Sequence, residues 1–136
     1  MSHYNKGSAA ERELITLFDA AGFAVVRVAG SGTNALTDVD LIVLRSDLRL
    51  AIESKAWAKK NLSISKEQFE GLLAWAKKAD CRPLVAWKYP REGWFLLDPS
   101  AFHVTPKFYA ITHHTAIEKR IPFEVLVKSQ TVLGNP

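Results

Sequence analysis

VDLIVLRSDLRLAIESKAW, residues 39–57, is the stretch that decides the fold. Two apolar runs, Val39–Leu44 and Leu48–Trp57, flank the tight turn at Ser46 and Asp47, which predicts a β-hairpin with two loop residues. Pairing outward from that turn places Asp40 directly opposite Glu53. Carboxylates at directly opposed positions of a sheet repel each other. We therefore expect a cation between these two residues.

The alternation of side chains along the two strands sharpens this expectation. Asp40 shares a strand face with Ile42 and Leu44 in an otherwise apolar run, while Glu53 and Lys55 share a face of the next strand. A hard divalent cation such as Mg²⁺ prefers oxygen ligands and retains several waters. Asp40 and Glu53 are therefore candidate ligands. The Lys55 ammonium is a candidate to orient an attacking water or to stabilise the pentacovalent phosphate.

A third acidic residue lies on the first predicted helix. Ser8-Ala9-Ala10-Glu11 has the spacing of a capping box, which predicts that the helix begins there, and Gly22 ends it. Glu11 precedes Leu14 and Phe18 by three and seven positions, so it lies on the inward stripe of that helix. This position makes Glu11 a candidate third ligand. The capping role explains the same residue, and the two explanations stay open.

Each of the other acidic residues also has a structural explanation. Glu53 and Lys55 have the spacing of an ion pair on a solvated strand face, and Asp40 has the position of a turn cap beside Asp38. A D…ExK spacing taken alone is a weak pattern. The residues by themselves therefore leave the chemistry open.

The rest of the chain predicts one α/β domain over residues 1–136. The element order α-β-β-β-α-β-β indicates a central mixed sheet flanked by helices. The core covers about residues 5–97, and about 98–136 form a C-terminal extension. Further predicted elements are strand Phe23–Val28, a loop at 29–35, helix Ser65–Ala79 capped by Ser65 and Gln68, hairpin Pro83–Leu97, a strand at 107–111 and a short helix Pro122–Lys128.

Composition constrains the compartment and the partners. The 18 basic and 14 acidic side chains give a net charge of +4 and a pI near 9.3, a mild bias toward polyanions. The lone Cys81 has no partner for an intramolecular disulfide. The polar start predicts no secretory segment, and the apolar runs are too short to span a membrane. We therefore expect a cytoplasmic protein without a membrane partner.

Five segments together resemble one nuclease family. They are KGSAAERE at 6–13, GFAVVRVAGSG at 22–32, DLI at 40–42, IESK at 52–55 and KEQFEG at 66–71. The string resembles the PD-(D/E)xK nuclease superfamily and, within it, the archaeal-type Holliday junction resolvases, over roughly residues 5–97. Two positions depart from the pattern: Val39 stands in place of a proline, and Ser54 in place of a hydrophobic residue. Neither change removes a functional group.

The resemblance implies a restriction-endonuclease-like fold and assigns roles to residues. Asp40 and Glu53 match metal ligands, with the backbone carbonyl of Ser54 as a further ligand. Glu11 matches the family's N-terminal catalytic glutamate, and Lys55 matches its catalytic lysine. The cofactor implied is Mg²⁺, with Mn²⁺ as a substitute.

The resemblance also implies residues that position or contact DNA. Ser31 matches a loop linked to strand cleavage, and Gln68 matches a glutamine near the active centre. For Lys59 and Lys60, keeping a helix end soluble is an alternative explanation. The residues expected at the DNA are Lys6, Arg12, Arg27, Gly30, Ser31, Gly32, Lys59, Lys60 and Lys66.

The function implied is the paired, metal-dependent cutting of four-way DNA junctions by a homodimer, in an archaeal, viral or phage setting. Two alternatives remain: another PD-(D/E)xK repair or restriction-type endonuclease, and a non-catalytic dimer that binds junctions. Of the four tryptophans, Trp57 stands beside the strand of Glu53 and Lys55, where core, interface and base-stacking roles are all open.

Overall fold

The structure, a computed structural model, describes residues 3–28 and 39–133, with side chains over 7–28 and 39–128. The helices are α1 (His3–Ala20), α2 (Lys66–Ala79), α3 (His113–Lys119) and α4 (Phe123–Leu133). The strands are β1 (Ala24–Arg27), β2 (Leu41–Arg45), β3 (Leu48–Ala56), β4 (Asn61–Ser65), β5 (Arg82–Tyr89), β6 (Gly93–Leu97), β7 (His103–Val104) and β8 (Phe108–Thr112). No helix in these ranges is long and apolar enough to cross a membrane.

A five-stranded sheet in the order β1-β2-β3-β5-β6 forms the centre of the molecule. Strands β3 and β5 run parallel, and the other neighbours are antiparallel. On one face, Leu14 and Phe18 of α1 and Leu126 of α4 pack against the sheet. On the other face, Phe69 and Leu72 of α2 do so. The predicted class, a mixed sheet flanked by helices, is confirmed.

The β2–β3 hairpin has the predicted register. Arg45 pairs with Leu48, and the ladder continues outward to the pair Leu41 and Ile52. Two loop residues between the strands suffice because the apolar side chains of both strands then point to the same faces. The register leaves Asp40 immediately beyond the last β2 pair, next to the chain of β3.

The predicted start of the first helix is wrong. Helix α1 begins at His3, so Ser8 and Glu11 lie in its interior. Amide groups at interior positions find carbonyl acceptors four residues earlier, so a side-chain cap has no orphan donor to satisfy there. The capping explanation for Glu11 is therefore removed.

The end of α1 is as predicted. Gly22 has a φ of +92°, and its N–H donates to the carbonyl of Asp19 at 3.0 Å. The N–H of Phe23 reaches back to the carbonyl of Phe18 at 3.1 Å, and the rings of Phe18 and Phe23 meet edge to face at 5.5 Å. These bonds and the apolar contact form a Schellman motif, which a left-handed glycine permits.

A second, three-stranded sheet in the order β4-β8-β7 was not predicted. The segment between the predicted strand that ends at Trp57 and the predicted helix that begins at Ser65 contains β4, in which Leu62 and Ile64 are buried and alternate with polar residues. Two apolar residues are too few to separate a short strand from a loop by pattern. Leu62 pairs with Ile111 of β8, so residues after 97 are joined to the rest by backbone pairing.

Candidate active site

Backbone bonds fix Asp40 between two strands. Its carbonyl accepts from the N–H of Val28 at 2.9 Å, and its own N–H donates to the carbonyl of Ile52 at 2.9 Å. The side chain is held as well, because its Oδ2 accepts from the N–H of Ser54 at 2.8 Å. The Asp40 carboxylate is therefore a fixed group beside β3.

Among the residues that the structure describes, Glu53 is the charged residue that is buried, with 4% of its surface exposed. Burial, together with the negative charge of Asp40, raises the pKa of the Glu53 carboxyl from 4.5 to about 8, while the nearby Lys55 ammonium opposes that rise. Two carboxyl groups thus oppose each other where the hairpin register predicted. A carboxylate in such a place is stabilised by a cation.

Lys55 connects the strand to the second helix. Its Nζ lies 3.3 Å from Oε2 of Glu53 and donates to Oε1 of Gln68 at 3.4 Å. Strand β3 therefore presents Glu53 and Lys55 on the face that α2 covers. The ammonium is held between two oxygen acceptors instead of extending into solvent.

Gln68 has two functions at the start of α2. Its backbone N–H donates to Oγ of Ser65 at 3.1 Å, which is the predicted N-cap bond. Its side chain does not return to the cap and instead contacts Lys55. Hydrophobic periodicity carries no signal for this contact, because the two residues belong to different elements and meet only when α2 packs on the sheet. The family resemblance was the signal that indicated Gln68.

The oxygen atoms at this place suit a hard divalent cation. The carboxylates of Asp40 and Glu53 adjoin each other, and the raised pKa of Glu53 reflects first its burial and then the negative charge of Asp40. Oxygen ligands and one or two carboxylates are what Mg²⁺ accepts in proteins. Within the described ranges, no three His, Cys, Asp or Glu residues come together as a metal site.

Glu11 is placed differently from Asp40 and Glu53. Its helix belongs to the layer on the opposite face of the sheet from α2. Its Oε1 accepts from Nε of Arg27 at 2.7 Å, which ties α1 to β1. Strand register, hydrogen bonds and an ion pair bring together Asp40, Glu53, Ser54, Lys55 and Gln68. Glu11 and Arg27 form an ion pair between α1 and β1, and Arg27 is followed by Val28, whose N–H donates to the Asp40 carbonyl.

The remaining predicted residues lie around the site or outside the described part. Arg12 is exposed on α1, and Lys59 and Lys60 are exposed just after β3. Lys66 is half-buried at the first position of α2. Outside the described residues lie Gly30, Ser31, Gly32 and the side chain of Lys6.

Comparison with known proteins shows which family this chain resembles. The family model described as "Archaeal holliday junction resolvase (hjc)" matches residues 2–133, which includes the tail that the motif resemblance did not reach. The crossover junction endodeoxyribonuclease Hjc of Methanocaldococcus jannaschii is 37% identical over 108 residues, covering 79% of this chain and 77% of its own. That of Sulfurisphaera tokodaii is 32% identical over 131 residues, covering 93% and 89%.

The fold agrees as well. The solved structure of Archaeoglobus fulgidus Hjc, a Holliday junction resolvase, superposes with a TM-score of 0.79 at 29% identity, covering 89% of this chain and 95% of that one. The family model matches nearly the whole chain, and relatives of this family are more than 30% identical to it, which establishes the family. The chain belongs to the archaeal Holliday junction resolvase (Hjc) family.

Proposed function

We propose that this chain is a structure-selective endonuclease that resolves four-way DNA junctions by metal-dependent hydrolysis of phosphodiester bonds. The observation that carries the proposal is the buried Glu53 carboxyl opposite Asp40, with the Lys55 ammonium 3.3 Å away. Acids and a lysine in this arrangement supply a cation site and a positive group for a phosphate. Family membership supports the choice of DNA junctions as the substrate.

The chain's own residues have distinct roles in this proposal. Asp40 and Glu53 hold the cation, and the carbonyl of Ser54 is a further oxygen ligand. When bound, a divalent cation lowers the pKa of water and offsets the charge that develops on the phosphate. We propose Mg²⁺ as that cation, with Mn²⁺ able to replace it, because hard oxygen ligands suit both ions.

Lys55 acts on the phosphate. Its ammonium is held by Glu53 and Gln68, so it is oriented before the substrate arrives. A fixed positive charge beside the reacting phosphate stabilises the added negative charge of the pentacovalent phosphate. Gln68 is a positioning residue in this scheme, since it acts through Lys55.

Glu11 is proposed as the N-terminal catalytic glutamate and as a candidate third metal ligand, and it also acts on Arg27. Its ion pair with Arg27 holds that guanidinium at the strand next to β2. A guanidinium forms bidentate bonds with phosphate oxygens, so Arg27 suits the DNA backbone near the site. Arg12, Lys59, Lys60 and Lys66, with Lys6 and the loop residues Gly30, Ser31 and Gly32, complete the proposed DNA contacts.

The working unit is proposed to be a homodimer. A four-way junction has two-fold symmetry, and two copies related by a two-fold axis place one site on each of two opposed strands. Paired cuts at symmetric positions follow from that arrangement. The proposed 5′-phosphate and 3′-hydroxyl ends rest on the family resemblance.

A cleavage assay tests the proposal. An immobile four-way junction and a linear duplex of matched sequence are incubated with the protein, in Mg²⁺, in Mn²⁺ and in a chelator. Paired, symmetric nicks on the junction alone, only with metal, support it. Equal cutting of both substrates contradicts junction selectivity and favours a repair or restriction-type nuclease.

The variant Asp40→Asn separates chemistry from binding. It removes one ligand charge while keeping the side-chain size, so cleavage should fall by several orders of magnitude while the junction is still retarded in a native gel. Normal cutting by this variant would refute the metal site. Binding without cutting by the wild-type protein, under every divalent metal tried, would favour a junction-binding dimer instead.

A further inference from the structure

Trp57 is an exposed aromatic residue beside the proposed site. All four tryptophans lie in the described part of the chain, and Trp57 is the exposed one, at 40%, whereas Trp87 is fully buried. An indole ring that is exposed to solvent at the end of a strand presents an apolar surface that can pack against a ligand. Its surroundings indicate what that surface contacts.

The polar groups of Trp57 are satisfied within the protein. Its backbone N–H donates to the carbonyl of Lys88 at 3.2 Å, and its carbonyl accepts from Nε1 of Trp87 at 2.9 Å. The indole Nε1 of Trp57 donates to the carbonyl of Asn61 at 3.0 Å. Bonds on the backbone and at the ring hold the side chain in one orientation. The group left for a ligand is therefore the face of the ring, already ordered before binding.

The charge around the ring favours a polyanion. Nζ of Lys59 lies 5.9 Å from the centroid of the Trp57 ring, and Lys60 is exposed next to it. Neither lysine forms an ion pair with a residue in the described ranges. An aromatic face framed by uncompensated cations is the combination that binds a base and its phosphates.

The position of Trp57 relative to Lys55 gives the location of that base. The bond from Trp57 N–H to Lys88 extends the β3–β5 pairing one step beyond the pair Ala56 and Lys88. Trp57 therefore follows Lys55 by two residues of extended chain, about 7 Å, on the same side of the strand. That distance is about twice the 3.4 Å spacing of stacked nucleotides along one DNA strand, so it corresponds to at most about two nucleotides.

We propose that the ring of Trp57 stacks on a nucleobase exposed at the branch point of the junction, one or two nucleotides from the phosphate that Lys55 contacts, while Lys59 binds the flanking phosphate. In a linear duplex each base pair is covered on both faces. At an opened branch point the terminal pairs lose one stacking neighbour, so a fixed ring gains a contact there that a linear duplex does not offer. Trp57 is thus a residue that contributes to junction selectivity. The inference rests on the proposed function.

The test uses junction binding without cleavage, in full-length Asp40→Asn protein. Trp57→Ala and Trp57→Phe are added to that background, and Val125→Ala serves as the control because Val125 is an exposed apolar residue on α4, which packs on the opposite face. The junction carries 2-aminopurine, a fluorescent base, beside the branch point. Stacking of an aromatic ring changes its fluorescence.

We expect Trp57→Ala to weaken junction binding by roughly 5- to 150-fold, the range for loss of one stacked base, and to abolish the fluorescence change. Trp57→Phe should retain most of both, and binding to the linear duplex should stay within about 2-fold for every variant, since phosphate contacts are unchanged. Val125→Ala should behave as its parent.

Three outcomes would overturn the inference. Equal junction binding by Trp57→Ala and its parent shows that the ring makes no contact with DNA. Equal losses of affinity for the junction and for the duplex show a general effect on DNA binding. A changed sedimentation coefficient with unchanged DNA affinity shows that Trp57 contacts a second copy of the protein. Failure of the proposed function itself is distinguishable, because wild-type protein would then not cut or prefer junctions at all.

Discussion

Replacement of the buried Glu53 is predicted to raise the stability of the protein while it abolishes cleavage. Replacing it with glutamine keeps the shape of the side chain and an oxygen that accepts from Lys55, but removes a charge that is buried beside Asp40. Burying a carboxylate costs free energy, and a second carboxylate adds to that cost. We expect Glu53→Gln to lose cleavage and, in metal-free buffer, to be more stable than the wild type.

The size of the effect follows from the pKa of Glu53, which rises from 4.5 to about 8 on folding. The folded state therefore retains the proton that the unfolded state releases. The stability contributed by this group is fully present below pH 4.5 and is lost as the pH rises through about 8. Each pKa unit is worth about 1.4 kcal/mol, so the loss totals about 5 kcal/mol above pH 8 and about 3 kcal/mol by pH 7.

The assay is denaturant or thermal unfolding in EDTA at several pH values between 4 and 9. The difference between Glu53→Gln and wild type should be near zero at pH 4 and about 3 kcal/mol at pH 7, or roughly 10 °C in Tm for a domain of this size. Glu67→Gln is the control, an exposed carboxylate on α2, and should change stability by a few tenths of a kcal/mol at most. Added Mg²⁺ should raise the Tm of the wild type more than that of Glu53→Gln, since the amide gives the cation no charge.

Parallel pH curves for Glu53→Gln and wild type would refute the reasoning, because the wild-type carboxyl would then titrate alike in both states. A Glu53→Gln variant less stable than wild type at pH 8 would also refute it. That result would mean that the ion pair with Lys55 outweighs burial and the repulsion from Asp40.

Further predictions concern the second helix and the end of the first. Gln68→Ala should lower kcat on junctions by about 10-fold with little change in KM, because it frees the Lys55 ammonium without removing it; an unchanged kcat would contradict the positioning role. Ser65→Ala removes the N-cap of the same helix and should cost about 1 kcal/mol in unfolding experiments while leaving kcat unchanged. Gly22→Ala should cost about 1 kcal/mol, although no atom lies within 4 Å of the added Cβ, since its φ of +92° strains any other residue; a variant as stable as wild type would show that the turn relaxes.

The placement of Asp40 opposite Glu53 is the part of the candidate site that could be predicted from a short stretch of sequence. The hairpin register depends on two loop residues and on apolar alternation, both local properties, so the opposition of Asp40 and Glu53 could be predicted from residues 39–57. The end of α1 at Gly22 was predictable for the same reason, because a left-handed position selects glycine. The family's motifs also lie in these local segments.

Contacts between distant elements required the tertiary structure. The Lys55–Gln68 contact and the N–H of Ser54 on Asp40 arise when α2 covers the sheet and β3 passes the end of β2. The pairing of Glu11 with Arg27 likewise depends on how α1 lies across β1. The start of α1 was mispredicted because a capping pattern is permitted inside a helix as well as at its end.

The sequence by itself thus determined the β2–β3 hairpin, its register and which acids face each other, since these follow from periodicity and turn length. Only the tertiary structure decided how deeply Glu53 is buried, which acceptors hold Lys55 and how Trp57 is fixed. Burial and orientation depend on the layers that pack over a strand. In the second sheet, for example, β4 pairs with β8, although the two strands lie far apart in the chain. Charge and spacing are local, whereas the environment that shifts a pKa is not.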